Sequence, residues 1–242
     1  MKRSLVLVTI VVVLFAAWRI SKYEDARNIP DKVDTNQTAS SAFNKQLYSI
    51  DNPDSLWVIV NKNRKPLPRE YKPSALDVPQ VTLKLNDSNE QMLVDSRAKA
   101  PLEELFAAAK KAGHGLTLAS GYRSYDYQVQ VYNGFVATEG RAEAERSSAK
   151  PGYSEHQTGL AVDVCNSSDS CLVLEKFSPD SPAATWLASN APSFGFIIRY
   201  PADKESVTGY KHEPWHLRFV GKELAQQVQQ TGKTLEEFFQ IQ

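Results

Sequence analysis

Net charge is the first thing this sequence lacks: 28 Lys and Arg stand against 28 Asp and Glu. With no overall field to draw a polyanion, nucleic acid is set aside as a partner and a weakly charged substrate is expected. Cysteine is scarce as well, with only Cys165 and Cys171, separated by the polar run Asn166 to Ser170 that a short loop could close. No internal repeat is visible, and strands and helices do not follow a regular βαβ order. Near the N-terminus the apolar run Leu5 to Trp18 is short beside the ~20 residues of a full membrane span. The residues at its end, Phe15-Ala16-Ala17-Trp18-Arg19, lack a small-x-small cleavage site.

What is present begins with Lys2 and Arg3 ahead of that apolar run, the charge order of an export signal. An uncleaved anchor is the favoured reading, with the N-terminus in the cytoplasm and the rest outside, although Arg19 and Lys22 weaken the charge asymmetry. A buried core helix fits poorly, because the run is β-branched and has no polar face. Three segments result: 1–22, a signal anchor or signal peptide; 23–50, a polar linker too poor in apolar residues to order itself; and 51–242, the folded domain. The expected location is the outer face of a cell membrane, or secretion if the signal is cut. An exported chain favours a Cys165–Cys171 disulfide over two free thiols.

A composition of 42% hydrophobic and 23% charged residues suits one domain with a core. Leu56-Trp57-Val58-Ile59-Val60 predicts a strand, followed by a stretch kept extended on the surface by Pro66, Pro68, Pro73 and Pro79. Leu102, Leu105, Phe106 and Ala109 fall on one helical stripe, with Pro101 near its start and Gly113 past its end. Leu116 to Ala119, Leu160 to Val164 and Phe196 to Tyr200 predict strands. Ser124 can cap a helix running toward Val136, and further helices are expected at Ala183 to Ser189, Glu223 to Gln230 and Leu235 to Phe239. The fold class is therefore α+β: a compact domain with a small, mainly antiparallel sheet flanked by helices.

Chemistry concentrates in two segments. In Ser154-Glu155-His156-Gln157-Thr158-Gly159-Leu160-Ala161-Val162-Asp163-Val164, a histidine and an aspartate stand seven positions apart, with Gly159 permitting a tight approach into the strand. Strand alternation puts Leu160, Val162 and Val164 on one side and Ala161 and Asp163 on the other, so the carboxylate shares its face with a small residue that leaves room for a metal. Glu213-Pro214-Trp215-His216 supplies a third ligand and a second carboxylate. Three protein ligands and an open fourth position describe a hydrolytic zinc site, in which the metal activates water and a carboxylate moves its proton. Glu213 is the candidate base. Arg123 offers a planar, permanently charged fork to an oxyanion or carboxylate.

The pattern Ser154-x-His156-x-x-Gly159-x-Ala161-x-Asp163 with Glu213-x-x-His216 resembles the signature of VanY-type D-alanyl-D-alanine carboxypeptidases, in a wider group with lysostaphin-like peptidases and the hedgehog signalling domain. Ser120-Gly121-Tyr122-Arg123-Ser124 and Gln128 are similar to that family's substrate-side segment. The resemblance implies one zinc ion held by His156, Asp163 and His216, Glu213 as base, Arg123 on the substrate, and Ser154 and Gln128 as substrate contacts. It implies removal of the C-terminal D-alanine from peptidoglycan stem peptides. L,D-carboxypeptidase and cross-link endopeptidase activities need the same zinc, water and base, and a non-catalytic cell-wall module with structural zinc is the reading from another class. His212-Glu213-Pro214-Trp215-His216 also fits the His-Glu-x-x-His pattern, but that pattern needs continuous helix, and Pro214 opposes it at a cost of ~3 kcal/mol.

Overall fold

Alternation along the strand after Gly159 organises the molecule. In a computed structural model, which describes residues 43–241, Leu160, Val162 and Val164 enter the hydrophobic core while Asp163 turns to the opposite face. The expected anchor and the linker as far as residue 42 lie outside the described residues, and among those described no helix is long and apolar enough to cross a membrane. The compact unit starts at Lys45, ahead of the boundary expected at 51: Lys45 Nζ donates to the Phe238 carbonyl at 2.6 Å and Tyr48 stacks edge-on against Trp57.

In chain order the elements are β1 (Leu76–Asp77), β2 (Val94–Asp95), α1 (Ser96–Lys111), β3 (Leu116–Ser120), α2 (Tyr125–Glu139), α3 (Arg141–Ser147), β4 (Ala161–Asn166), α4 (Pro182–Asn190), β5 (Phe196–Tyr200), α5 (Glu205–Thr208), β6 (Glu213–Phe219), α6 (Lys222–Thr231) and α7 (Leu235–Phe239). The main sheet has the order β3-β4-β6-β5 and is antiparallel throughout, while β1 and β2 form a separate antiparallel pair. This is the α+β architecture expected. Leu102, Leu105, Phe106 and Ala109 of α1 and Leu187 of α4 pack with Val162, Leu217 and Phe196 on one face of the sheet. Fully burying each of these leucine, valine and phenylalanine side chains contributes about 1.5–3 kcal/mol.

Local chemistry sets the ends of these elements. Asp95 caps α1 by accepting from Arg97 N, so the helix begins five residues before Pro101 and carries that proline inside it. Ser124 caps α2 as expected, accepting from Tyr127 N at 3.2 Å. Gly159 sits at φ +67 in the turn into β4, where a Cβ would lie 2.9 Å from Asp95 N and from the Leu76 side chain. Glycine alone fits both the backbone conformation and the space.

The strand expected at Leu56 to Val60 does not form. Trp57 to Val60 are buried, but the carbonyls of Leu56, Val58 and Ile59 meet side chains instead of a neighbouring strand: Arg218 Nη2 donates to Leu56 O (3.1 Å) and Val58 O (2.8 Å), and Arg64 Nε donates to Ile59 O (3.0 Å). Of the four prolines expected on the surface, Pro66 and Pro68 are exposed, whereas Pro73 and Pro79 are buried.

Cys165 and Cys171 form a disulfide with Cα atoms 5.7 Å apart, closing the loop after β4. Thiol labelling of the unfolded, unreduced protein is expected to find no free cysteine; two reactive thiols in material recovered from the cell surface would contradict the bridge.

Candidate active site

Asp163 lies directly opposite His216 where β4 pairs with β6. The 3-10 turn Glu155–Thr158 that leads into Gly159 delivers His156 to the same place. His156 Nε2 is 3.3 Å from Asp163 Oδ2, and His216 Nδ1 is 3.3 Å from Asp163 Oδ1. All three ligand atoms lie within 4.8 Å of one another, and all three residues are buried.

Zinc fits this donor set. Tetrahedral ligands at about 2.0–2.1 Å from zinc stand about 3.4 Å apart, and each histidine nitrogen lies 3.3 Å from one of the two Asp163 oxygens. His156 Nδ1 lies 2.7 Å from the Gly121 carbonyl, which can only accept, so Nδ1 carries the proton and Nε2 presents a lone pair to the metal position. Asp163 Oδ1 is buried without a hydrogen-bond partner, since its 3.3 Å approach to His216 is not aligned as a bond. A cation would satisfy it. Burial opposes charge on His216, but the adjacent Asp163 and Glu213 carboxylates outweigh it and raise its pKa to about 9. Burial and the adjacent Arg123 guanidinium push His156 down to about 4.

Glu213 and His216 are three apart on β6, so regular alternation would send them to opposite faces. An irregularity in pairing brings them together. Ile198 pairs with Leu217 but Tyr200 pairs with Glu213, so two residues of β5 oppose four of β6, and the extra chain at Pro214 and Trp215 forms a bulge. Glu213 Oε2 thereby reaches 3.2 Å from His216 Nδ1. Burial pushes the Glu213 carboxyl above the usual carboxylate range, helped by the nearby Asp163 charge and opposed by His216 and Arg123. A second bulge, at Ala119 between the Leu118–Val164 and Ser120–Asp163 pairs, turns Ser120 toward Arg123.

Arg123 is held on three sides. Nε donates to Ser120 Oγ (3.0 Å), Nη1 to Gln128 Oε1 (3.1 Å) and Nη2 to Asp163 Oδ2 (2.8 Å), with His156 Nε2 2.9 Å from the same Nη2. Its Nη2 edge therefore faces the ligand atoms. Gln128 corrects one expectation: it does not line the cleft, because its amide is occupied in holding Arg123 and in donating to the Ala149 carbonyl at 2.8 Å. Ser154 does line the cleft, which has a volume of about 820 Å³ and includes His156, Asp163, Glu213, Trp215 and His216 in its wall. His212 also lines it but lies outside the metal group, and β6 is a strand, so the two histidines share no helical face.

Sequence reasoning missed the support beneath the site. Glu155 is fully buried; its Oε1 accepts from Arg199 Nε and Arg218 Nη1, both at 2.8 Å, and these cations hold its carboxyl below the usual range despite burial. Arg199 also forks onto Glu236 (3.0 and 2.5 Å), to which Asn61 donates at 2.9 Å. Glu155 Oε2 faces His216 Nε2 at 3.9 Å, beyond hydrogen-bonding range, and both atoms lack other partners among the described residues. Removing Glu155 would leave the buried Arg218 guanidinium without a carboxylate among the described residues, at a cost of about 3–5 kcal/mol, while Arg199 would keep Glu236. The available signal was an arginine inside each of two apolar runs, Phe196-Ile197-Ile198-Arg199-Tyr200 and Leu217-Arg218-Phe219.

Comparison with known proteins agrees with this geometry. The sequence profile of the VanY family, D-alanyl-D-alanine carboxypeptidase, matches residues 91–222. YodJ of Bacillus subtilis (strain 168), whose carboxypeptidase name is provisional, is 41% identical over 194 residues, covering 80% of this chain and 70% of YodJ. The LdcB LD-carboxypeptidase structure superposes with a TM-score of 0.72 at 40% identity, over 79% of this chain and 89% of that one. A vancomycin-resistance D,D-pentapeptidase VanY in complex with Zn(II) superposes with a TM-score of 0.63 at 34% identity, over 77% of this chain and 99% of that one. With a family match spanning more than half its length and a ligand set that fits zinc, this chain belongs to the VanY family of D-alanyl-D-alanine carboxypeptidases.

Proposed function

We propose that this chain removes the C-terminal D-alanine from peptidoglycan stem peptides ending in D-Ala-D-Ala. The observation that carries the reading is the convergence, on one wall of the cleft, of His156, Asp163 and His216 with a buried carboxylate, Glu213, and an immobilised guanidinium, Arg123. Zinc held by those three ligands supplies a Lewis acid that lowers the pKa of water toward ~7 and polarises the scissile carbonyl. Glu213 takes a proton from the attacking water at its carboxylate and returns it to the leaving nitrogen as the C–N bond breaks. Arg123, fixed by Ser120 and Gln128, directs Nη2 at the oxygen on which negative charge develops. Ser154 contributes a hydroxyl from the cleft wall for substrate contact.

The setting is the outer face of the membrane, with residues 1–22 as anchor. Lys2 and Arg3 ahead of an apolar run support that placement, as does the Cys165–Cys171 disulfide.

Purified full-length protein loaded with zinc and incubated with muropeptides is expected to shorten pentapeptide stems by one alanine, read by mass spectrometry. Tetrapeptides trimmed while pentapeptides persist would replace this reading with the L,D one, as in LdcB. Cleavage of cross-linked dimers alone would make the chain an endopeptidase, and an unchanged muropeptide profile would leave a zinc-containing binding module.

A further inference from the structure

A carboxypeptidase must choose the last peptide bond over internal ones, and only the last is followed by a free carboxylate. A cation close to the metal group and not already engaged would recognise that charge. Resting on the carboxypeptidase reading of this site, we propose that Lys84 is the residue that receives the substrate's C-terminal carboxylate.

Arg123 cannot easily do both jobs. Ser120 and Gln128 fix the plane of its guanidinium, and the Nη2 that remains points at Asp163 and His156, where the scissile carbonyl oxygen must come. A fork held in that orientation does not also present two donors to a carboxylate one residue further along the peptide. Lys211, another cation on the cleft wall, is hydrogen-bonded to the Glu143 carboxylate.

Lys84 lines the same cleft as Ser120, Arg123 and Asp163. It is half-buried, and its ammonium has neither a hydrogen-bond nor an ion-pair partner among the described residues. Its position is set by backbone: Lys84 N donates to Leu118 O (3.0 Å), Leu118 N donates to Thr82 O (2.8 Å), and Leu83 bridges to Leu118 in parallel. That ties the segment to β3 two residues before Ser120, whose hydroxyl holds Arg123. The ammonium feels the charges of both Asp163 and Arg123, while burial pushes its pKa down. A half-buried, unpaired ammonium is unfavourable until an anion arrives, and a carboxylate offers the charge-assisted hydrogen bonds it lacks. The resulting preference is for chain ends: an internal peptide bond or a C-terminal amide would leave Lys84 without a partner.

The test compares wild type with Lys84→Met and Lys84→Arg on diacetyl-L-Lys-D-Ala-D-Ala and on the same peptide ending in a carboxamide. Lys84→Met is expected to lower kcat/KM for the acid by about 10- to 100-fold. Turnover of the amide and zinc content should stay near wild type, so the preference for the free acid collapses. Lys84→Arg should retain most of that preference. Unchanged acid turnover in Lys84→Met overturns the assignment, as does an equal fall for acid and amide. A wild-type enzyme that cleaves neither peptide removes the D,D-carboxypeptidase reading, and with it the role of Lys84 on a D-Ala-D-Ala end.

Discussion

Replacing Glu213 by Gln is expected to leave zinc bound and to lower kcat by about 10²- to 10⁴-fold, the contribution of a positioned general base. The substitution keeps the size of the side chain and its place on β6, so the bulge at Pro214 and Trp215 need not change. It removes the lone pair that accepts the proton and the acid that later delivers it. Both halves of the reaction suffer, because an amide nitrogen leaves poorly unless it is protonated. The ligand atoms are untouched: Glu213 Oε2 stands beside His216 Nδ1 at 3.2 Å without belonging to the group His156, Asp163 and His216. Turnover and metal content measured on the same preparation separate the two roles. A Glu213→Gln enzyme with near-wild-type kcat would move the base elsewhere. Glu155 could not take over without rearrangement, since Arg199 and Arg218 hold its Oε1 and its Oε2 faces Nε2, the far side of the His216 ring from Nδ1.

Much of this site could be read from the chain because its ligands sit in short, regular elements. Alternation after Gly159 placed Asp163 opposite the core residues Val162 and Val164, and the left-handed turn at Gly159 is the feature that lets His156 fold back over the strand. Sequence spacing was less informative about Glu213 and His216, whose shared face depends on the unequal pairing of β5 with β6, a property of two strands at once. The same limit applies to Leu56 to Val60. Its β-branched run predicts a strand, but the donors that satisfy its carbonyls belong to Arg64 and to Arg218, which is 160 residues from Val58. Helix α3 was missed because Arg-Ala-Glu-Ala-Glu-Arg-Ser has little apolar periodicity, with Ala144 its one buried residue. Gln128 was placed on the substrate by resemblance, yet one turn into α2 its amide reaches Arg123 before it reaches the cleft.

Asp163→Ala is expected to abolish stoichiometric zinc, while His212→Ala leaves it intact. Asp163 occupies the centre of the ligand group, each oxygen 3.3 Å from a histidine nitrogen, so its loss removes the one anionic ligand and leaves two neutral imidazoles. Losing a partner outside the ligand shell typically weakens metal binding by about 10- to 100-fold, and loss of a ligand should exceed that range. Arg123 would also lose the carboxylate that Nη2 contacts, leaving a cation facing the metal position. His212 is four residues before His216, the spacing that lets two histidines share a metal on a helix. Here the segment is β6, with Pro214 inside its bulge, and His212 stays outside the cluster. Zinc titrations of both variants under competition with a chelator, with circular dichroism to confirm folding, decide the matter. Metal retained without Asp163 and lost without His212 would overturn the ligand assignment and the substrate class inferred from it.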